Sequence, residues 1–212
     1  MSILNKLATS QNRNDELPNI ELAIDIANNK DKAAVKELVA LVLSGKNRDI
    51  QNDSIKVLYE VGERNPSLIS HYSNTFAGLL SSKNNRLQWG AMSALNAIAS
   101  IEPDLIYYLL PELEAAVAKG SVITRDNYVY ILIRLAGINN YRNKAIALLK
   151  EQLINCPANQ LPMYAEKSLP IITSSEKDNF IQILQSRWSE FEKASKQVRV
   201  EKVIRKLQKT LI

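Results

Sequence analysis

The chain has one cysteine, one histidine and six glycines. It also has no apolar run near the roughly 18 residues that cross a bilayer. Each scarcity excludes a chemistry. A lone Cys156 forbids an intrachain disulfide and any zinc site built on cysteine pairs. A lone His71 forbids a two-histidine metal site. The closest glycines, Gly78 and Gly90, are 12 residues apart, so neither a P-loop nor a dinucleotide fingerprint fits. Met1 to Thr9 is too short and too polar for a secretory signal. With a single thiol, the cytoplasm is the expected compartment. No cofactor, metal or membrane span is expected.

What is present is ordinary for a folded chain: 212 residues, 46% hydrophobic and 23% charged. At about 150 residues per domain, that is one domain or a tight pair. The net charge is +5, but it is not spread evenly. Residues 193–212 carry seven Lys or Arg against Glu201 alone, a net +6, which leaves −1 for the other 192 residues. The basicity belongs to the tail.

The strongest pattern is a period of 37. Leu58, Leu95, Leu132 and Leu169 fall in register, as do Val61, Ile98, Leu135 and Ile172. A third column is Tyr72, Leu109, Ile146 and Ile183, and a fourth is Leu43, Leu80, Val117, Ile154 and Phe191. Ser67, Asp104 and Asp178 share one position and read as helix N-caps. Gly45, Gly120 and Gly137 stand at segment ends, where a helix favours a residue free to take positive φ. Within a copy the apolar spacing is helical, and no useful strand alternation occurs. The spacing predicts helices over 17–29, 32–44, 48–63, 67–82, 86–100, 104–119, 123–137, 141–155, 160–173, 177–192 and 196–211. A hairpin this small cannot bury its stripe alone, whereas stacked hairpins can. The expected fold is therefore all-α: a right-handed α-solenoid of about five stacked helical hairpins. Residues 1–16 would be a partly disordered N-terminal segment, 17–192 the array, and 193–212 a basic capping helix.

Pro103 to Val117, followed by Ile123 to Ala136, resembles a HEAT repeat, with Pro111 inside the first helix and Arg125 opening the second. Trp89 to Ala99 looks like the second helix of the preceding repeat. By register the resemblance covers about residues 32–192. The Arg125 position holds Gln51, Gln88 and Pro162 in the other copies, and the Pro111 position holds Asn74 and Leu148. The match thus carries the fold and no subfamily. The resemblance implies a scaffold whose second helices line a concave face.

On that face, the column Asn52, Trp89, Asp126 and Met163 is polar in two copies, so Trp89 is expected to be partly exposed. One turn on come Lys56, Ser93, Tyr130 and Lys167, then Tyr59 and Asn96, with Arg134 nearby. Helices in such a stack lie about 10 Å apart. The expected partner-binding surface is Trp89, Tyr130, Arg134, Asp126 and Asn96, with Lys56, Tyr59 and Lys167 at its rim. Trp, Tyr and Arg dominate binding hot spots. The competing reading is that Trp89 only packs between helices. The expected function is non-catalytic recognition of a protein or peptide.

The tail places Val200, Val203, Ile204, Leu207 and Leu211 on one stripe. Lys196, Arg199, Lys202, Arg205, Lys206 and Lys209 fill the rest. It reads as a cap for the last repeat or as an arm for an anionic partner, nucleic acid included. Trp188 and Phe191 before it read as core. One enzyme class is similar in size and architecture, the HEAT-like alkylpurine DNA glycosylases. Trp89, Asp126 and Arg134 supply their residue types. That family's Trp and Asp sit one turn apart on one helix, however, and the residue one turn after Trp89 is Ser93.

Overall fold

The computed structural model describes residues 2–209. Among them the chain is all-α, with twelve helices and no strand. These are α1 (Leu17–Asn29), α2 (Lys32–Ser44), α3 (Arg48–Arg64), α4 (Ser73–Leu79), α5 (Asn85–Ile98), α6 (Pro103–Tyr108), α7 (Leu110–Lys119), α8 (Val122–Ala136), α9 (Asn139–Asn155), α10 (Leu161–Ser168), α11 (Ser174–Ser186) and α12 (Ala194–Lys209). No described helix is long and apolar enough to cross a membrane. The chain divides into two compact units, residues 1–128 and 129–212.

The expected helices are found, but four are interrupted, and imino acids explain two of the breaks. Residues 67–82 form 3-10 turns at Pro66–Leu68 and Ser70–Tyr72 before α4. The long helix over 104–119 splits at Leu109, because Pro111 has no N–H for the carbonyl four residues back. Pro170 likewise stops α10, and Leu169–Ile171 continues as a 3-10 turn. The helix over 177–192 is α11 followed by a 3-10 turn at Trp188–Glu190. Residues Ile3–Lys6 and Thr9–Gln11, expected to be partly disordered, form 3-10 turns that bury Ile3, Leu7 and Ala8. Asn19, itself buried, accepts from the Ala8 amide (3.1 Å) and donates to Asp53 (2.8 Å), which tethers this segment to α1 and α3.

The N-cap assignments need correction. Ser67, Asp104 and Asp178 all lie inside helical turns. The caps are Asp31 for α2, Asn47 for α3, Asn84 for α5 and Thr173 for α11, the last with Glu176 in a capping box. Of the three terminal glycines only Gly45 has positive φ (66°). Gly120 is extended, and Lys30 takes the left-handed position after α1.

In unit 1, α3 packs against α1, α2 and α5. Leu58 and Val61 on α3, and Leu95 and Ile98 on α5, have no exposed surface. The approach of α3 to α5 is close enough that a Cβ on Gly90 would stand 2.7 Å from Ile55 Cγ1. The polar column also repeats. Gln51 donates to the Val42 carbonyl (2.5 Å), and Gln88 donates to the Leu80 carbonyl (2.9 Å). Both glutamines reach carbonyls at the end of the preceding helical segment, which lack an intrahelical donor. Gln51 and Gln88, 37 residues apart, thus do the same local work at the starts of α3 and α5.

Unit 2 keeps the first two columns in its first copy only. Leu132 and Leu135 are fully buried, while Leu169 and Ile172 are half-buried in and just after the turn that Pro170 imposes. The fourth column is not uniformly core, because Leu43 is 59% and Ile154 52% exposed. Arg142 takes over part of the linkage. It donates to the carbonyls of Ala136 (2.8 Å) and Ile171 (2.6 Å) and pairs with Glu176 (2.7 Å). The stripe Val200, Val203, Ile204 and Leu207 is buried as α12 packs on α10 and α11. Leu211 lies outside the described residues.

Gly90→Ala is expected to destabilise the protein by about 1–3 kcal/mol through overpacking against Ile55, despite alanine's better helix propensity. Urea unfolding of parent and variant checks this. A neutral or stabilising result would mean the helices are not so close.

Candidate functional site

The predicted surface residues fall in both units. Lys56, Tyr59, Trp89, Asn96 and Asp126 belong to unit 1, and Tyr130, Arg134 and Lys167 to unit 2. Two rim assignments are overturned: Lys56 is 6% and Tyr59 7% exposed. They are drawn inward because α3 is packed on three sides and its carboxylates accompany them. Trp89 and Asp126 are half-buried. Asn96 is half-buried too and donates to Asn127 Oδ1 (3.1 Å). Asn127 in turn donates to Ser93 Oγ (3.0 Å), whose hydroxyl donates to the Trp89 carbonyl (3.0 Å). Ser93 therefore serves α5 and its neighbour structurally. In unit 2 the Tyr130 hydroxyl lies 3.6 Å from Met163 sulfur, and Arg134 and Lys167 are exposed.

The best-built site is in unit 1. The Lys56 ammonium pairs with Glu60 one turn on (2.7 Å) and with Glu16 at the start of α1 (3.1 Å). Glu60 also binds Arg64, and Glu16 also binds Arg86. The result is a chain of alternating charge, Arg64–Glu60–Lys56–Glu16–Arg86, across α3, α5 and the residue before α1. Aromatic rings lie alongside. Lys56 Nζ stands 4.9 Å from the Tyr59 ring centre, and Tyr59 stands 5.6 Å from Trp89. The Arg86 guanidinium covers Trp89 at 5.3 Å, a cation–π distance. Arg86 and Glu16 also border a cleft of about 500 Å³ lined with Asn52, Asp15, Asp49 and Asp53. A rigid aromatic with a braced guanidinium above it is thus presented at the surface by two packed helices.

The electrostatics follow from this arrangement. Burial alone would lower the Lys56 ammonium, but its bonds to Glu60, Tyr59 and Glu16 outweigh it and raise the group above its usual 10.5. Burial pushes the Tyr59 hydroxyl up. Burial would also raise Glu60 and Glu16, yet the cations on either side hold both carboxyls below their ordinary 4.5.

The other sequence candidates are less productive. His71 is exposed on a 3-10 turn. Cys156 is buried at the end of α9, where the Arg187 guanidinium donates to the Leu153 carbonyl (2.8 Å) and stands 3.3 Å from the Cys156 sulfur. That contact joins residues 31 positions apart, so no local pattern announced it. Phe191 is buried, but Trp188, expected in the core, is 36% exposed because its helix ends at Ser186 and a 3-10 turn swings it to the rim. There it borders a cleft of about 460 Å³ with Ile204, Arg205 and Gln208. Within α12, Arg199 pairs with Glu166, Arg205 with Glu201, and Lys196 donates to the Asn159 carbonyl (3.0 Å). Lys202, Lys206 and Lys209 are exposed. No cluster of three or more His, Cys, Asp or Glu among the described residues is placed to hold a metal.

A depressed carboxyl adds stability above its unfolded value and loses it as pH falls through the folded one. Stability should therefore drop as pH falls below about 4.5, through the carboxyls of Glu60 and Glu16. Glu60→Gln should shrink the difference in urea midpoint between pH 7 and pH 3. An unchanged difference would remove Glu60 from the network.

Comparison with models of protein families, with curated proteins and with solved structures finds no match.

Proposed function

We propose that the chain is a short HEAT-like α-solenoid that acts without catalysis as a scaffold and recognises a partner protein or peptide in the cytoplasm. In this reading α3, α5, α8 and α10 are the second helices of successive hairpins. The 37-residue register and the matching roles of Gln51 and Gln88 support it. Recognition centres on Trp89 and Arg86 in unit 1. The observation that carries it is the half-exposed indole held between Tyr59 and a guanidinium that Glu16 fixes in place. Such an anchor loses little side-chain freedom on binding, which is why Trp and Arg recur in hot spots. The acidic cleft beside it favours a partner segment carrying Lys or Arg.

The glycosylase reading is not proposed, because the position one turn after Trp89 holds a serine engaged with Asn127 and its own helix.

The test is affinity capture from native lysate by the full chain and by Trp89→Ala, with thermal melts to show that both are folded. Loss of a hot-spot indole costs about 2 kcal/mol, some thirtyfold in affinity, so a specifically retained protein should disappear. Lys202→Glu combined with Lys206→Glu should leave capture intact. Retention of the same proteins at the same yield by Trp89→Ala would overturn the proposal.

A further inference from the structure

A second surface lies in unit 2. On α12, Arg199, Lys202, Lys206 and Lys209 follow one another at spacings of three and four residues and so share a face. At 1.5 Å rise per residue that stripe runs about 15 Å. Lys167 on α10 joins it. Glu166, which Arg199 binds, is held below its usual value first by that arginine and then by the nearby charges of Lys206 and Lys167. Arg205 is one turn from both Lys202 and Lys209, and it lines the cleft that Trp188 borders. The cationic stripe therefore continues into a cleft with an exposed indole. The carboxylates close to this surface include Glu166, Glu201, which lines the cleft, and Glu190, two residues after Trp188, each bound to an arginine.

Three kinds of anionic partner suit a basic helix, and two fit poorly here. A bilayer would take the apolar face of an amphipathic helix. That face, Val200, Val203, Ile204 and Leu207, is already buried in the protein. Protein interfaces are depleted of lysine at their centres, whereas this stripe is mostly lysine. A cationic track beside an aromatic side chain is how single strands are held without sequence preference: lysines take phosphates and the ring stacks on a base.

We propose that α12, Lys167 and Trp188 form a binding surface for single-stranded nucleic acid. The phosphates lie along Lys167, Lys202, Lys206 and Lys209, and one base stacks on Trp188 in the cleft beside Arg205. No base edge is read, so the surface is indifferent to sequence. DNA and RNA share this chemistry.

The experiment follows tryptophan fluorescence and the anisotropy of labelled 15-mers, dT15 and U15, added to the full chain between 50 and 200 mM KCl. Binding with quenching is expected for either strand. The slope of log affinity against log salt should be about −3, as four phosphates at roughly −0.7 each require. Lys202→Glu with Lys206→Glu should weaken binding at least tenfold and make the slope shallower. Trp188→Ala should weaken it about tenfold and abolish the quench while leaving the slope unchanged. Trp188→Phe should lose the quench but keep most of the affinity, which separates stacking from a merely structural role. Circular dichroism melts establish that each variant is folded. No binding at 50 mM KCl would overturn the proposal. So would an undiminished quench in Trp188→Phe, or tighter binding of a 15-bp duplex, polyglutamate or phosphatidylserine vesicles than of the single strands.

Discussion

Apolar burial of α3 against α1, α2 and α5 is the constraint on which the rest of unit 1 depends. No single helix here has a stripe wide enough to stand alone, and α3 shows the consequence. It is covered by α1, α2 and α5, and its Leu58 and Val61 are sealed from water. That enclosure also takes Lys56 out of solvent. A buried ammonium is costly unless it is paired and hydrogen-bonded. Glu60, Glu16 and the Tyr59 ring meet the requirement, and Arg64 and Arg86 complete the alternation of charge. The polar network is thus a consequence of packing, and the indole of Trp89 inherits its fixed position from both.

The two units use different devices to join helices. Unit 1 relies on close backbone approach at Gly90 and on glutamines that reach the preceding carbonyls. Unit 2 relies on arginines. Arg142 collects two terminal carbonyls and Glu176, and Arg187 joins the end of α9 to the turn after α11. A guanidinium suits this work because its fork offers several donors in fixed directions. Where Pro170 cuts α10 short, the regular apolar column fails and α12 covers α10 and α11 instead.

Much of the helical layout was legible in the residues themselves. Segment type and most boundaries follow from apolar spacing, whereas the register points to Ser67, Asp104 and Asp178, which lie inside helical turns, and passes over the caps Asp31, Asn47 and Asn84. The breaks at Pro111 and Pro170 were legible in principle, since proline's missing N–H is a local fact. The site was legible in part. Trp89 at the surface follows from the polar column it shares with Asn52 and Asp126. The burial of Lys56 and Tyr59 does not, because it depends on Glu16, 40 positions away from Lys56 in sequence. The exposure of Trp188 depends on where α11 stops, and its neighbours Ile204 and Arg205 arrive only when α12 folds back.

Equivalence of positions 37 apart is the claim that everything else presumes, and four alanine variants test it directly. Urea unfolding of Leu58→Ala, Leu95→Ala and Leu132→Ala should show losses of about 2–5 kcal/mol each, the range for a fully buried leucine. Leu169→Ala, in the half-buried turn, should lose less than half as much. A near-neutral result at any of the first three would contradict the repeat, and a loss at Leu169 as large as theirs would contradict the break that Pro170 makes in it.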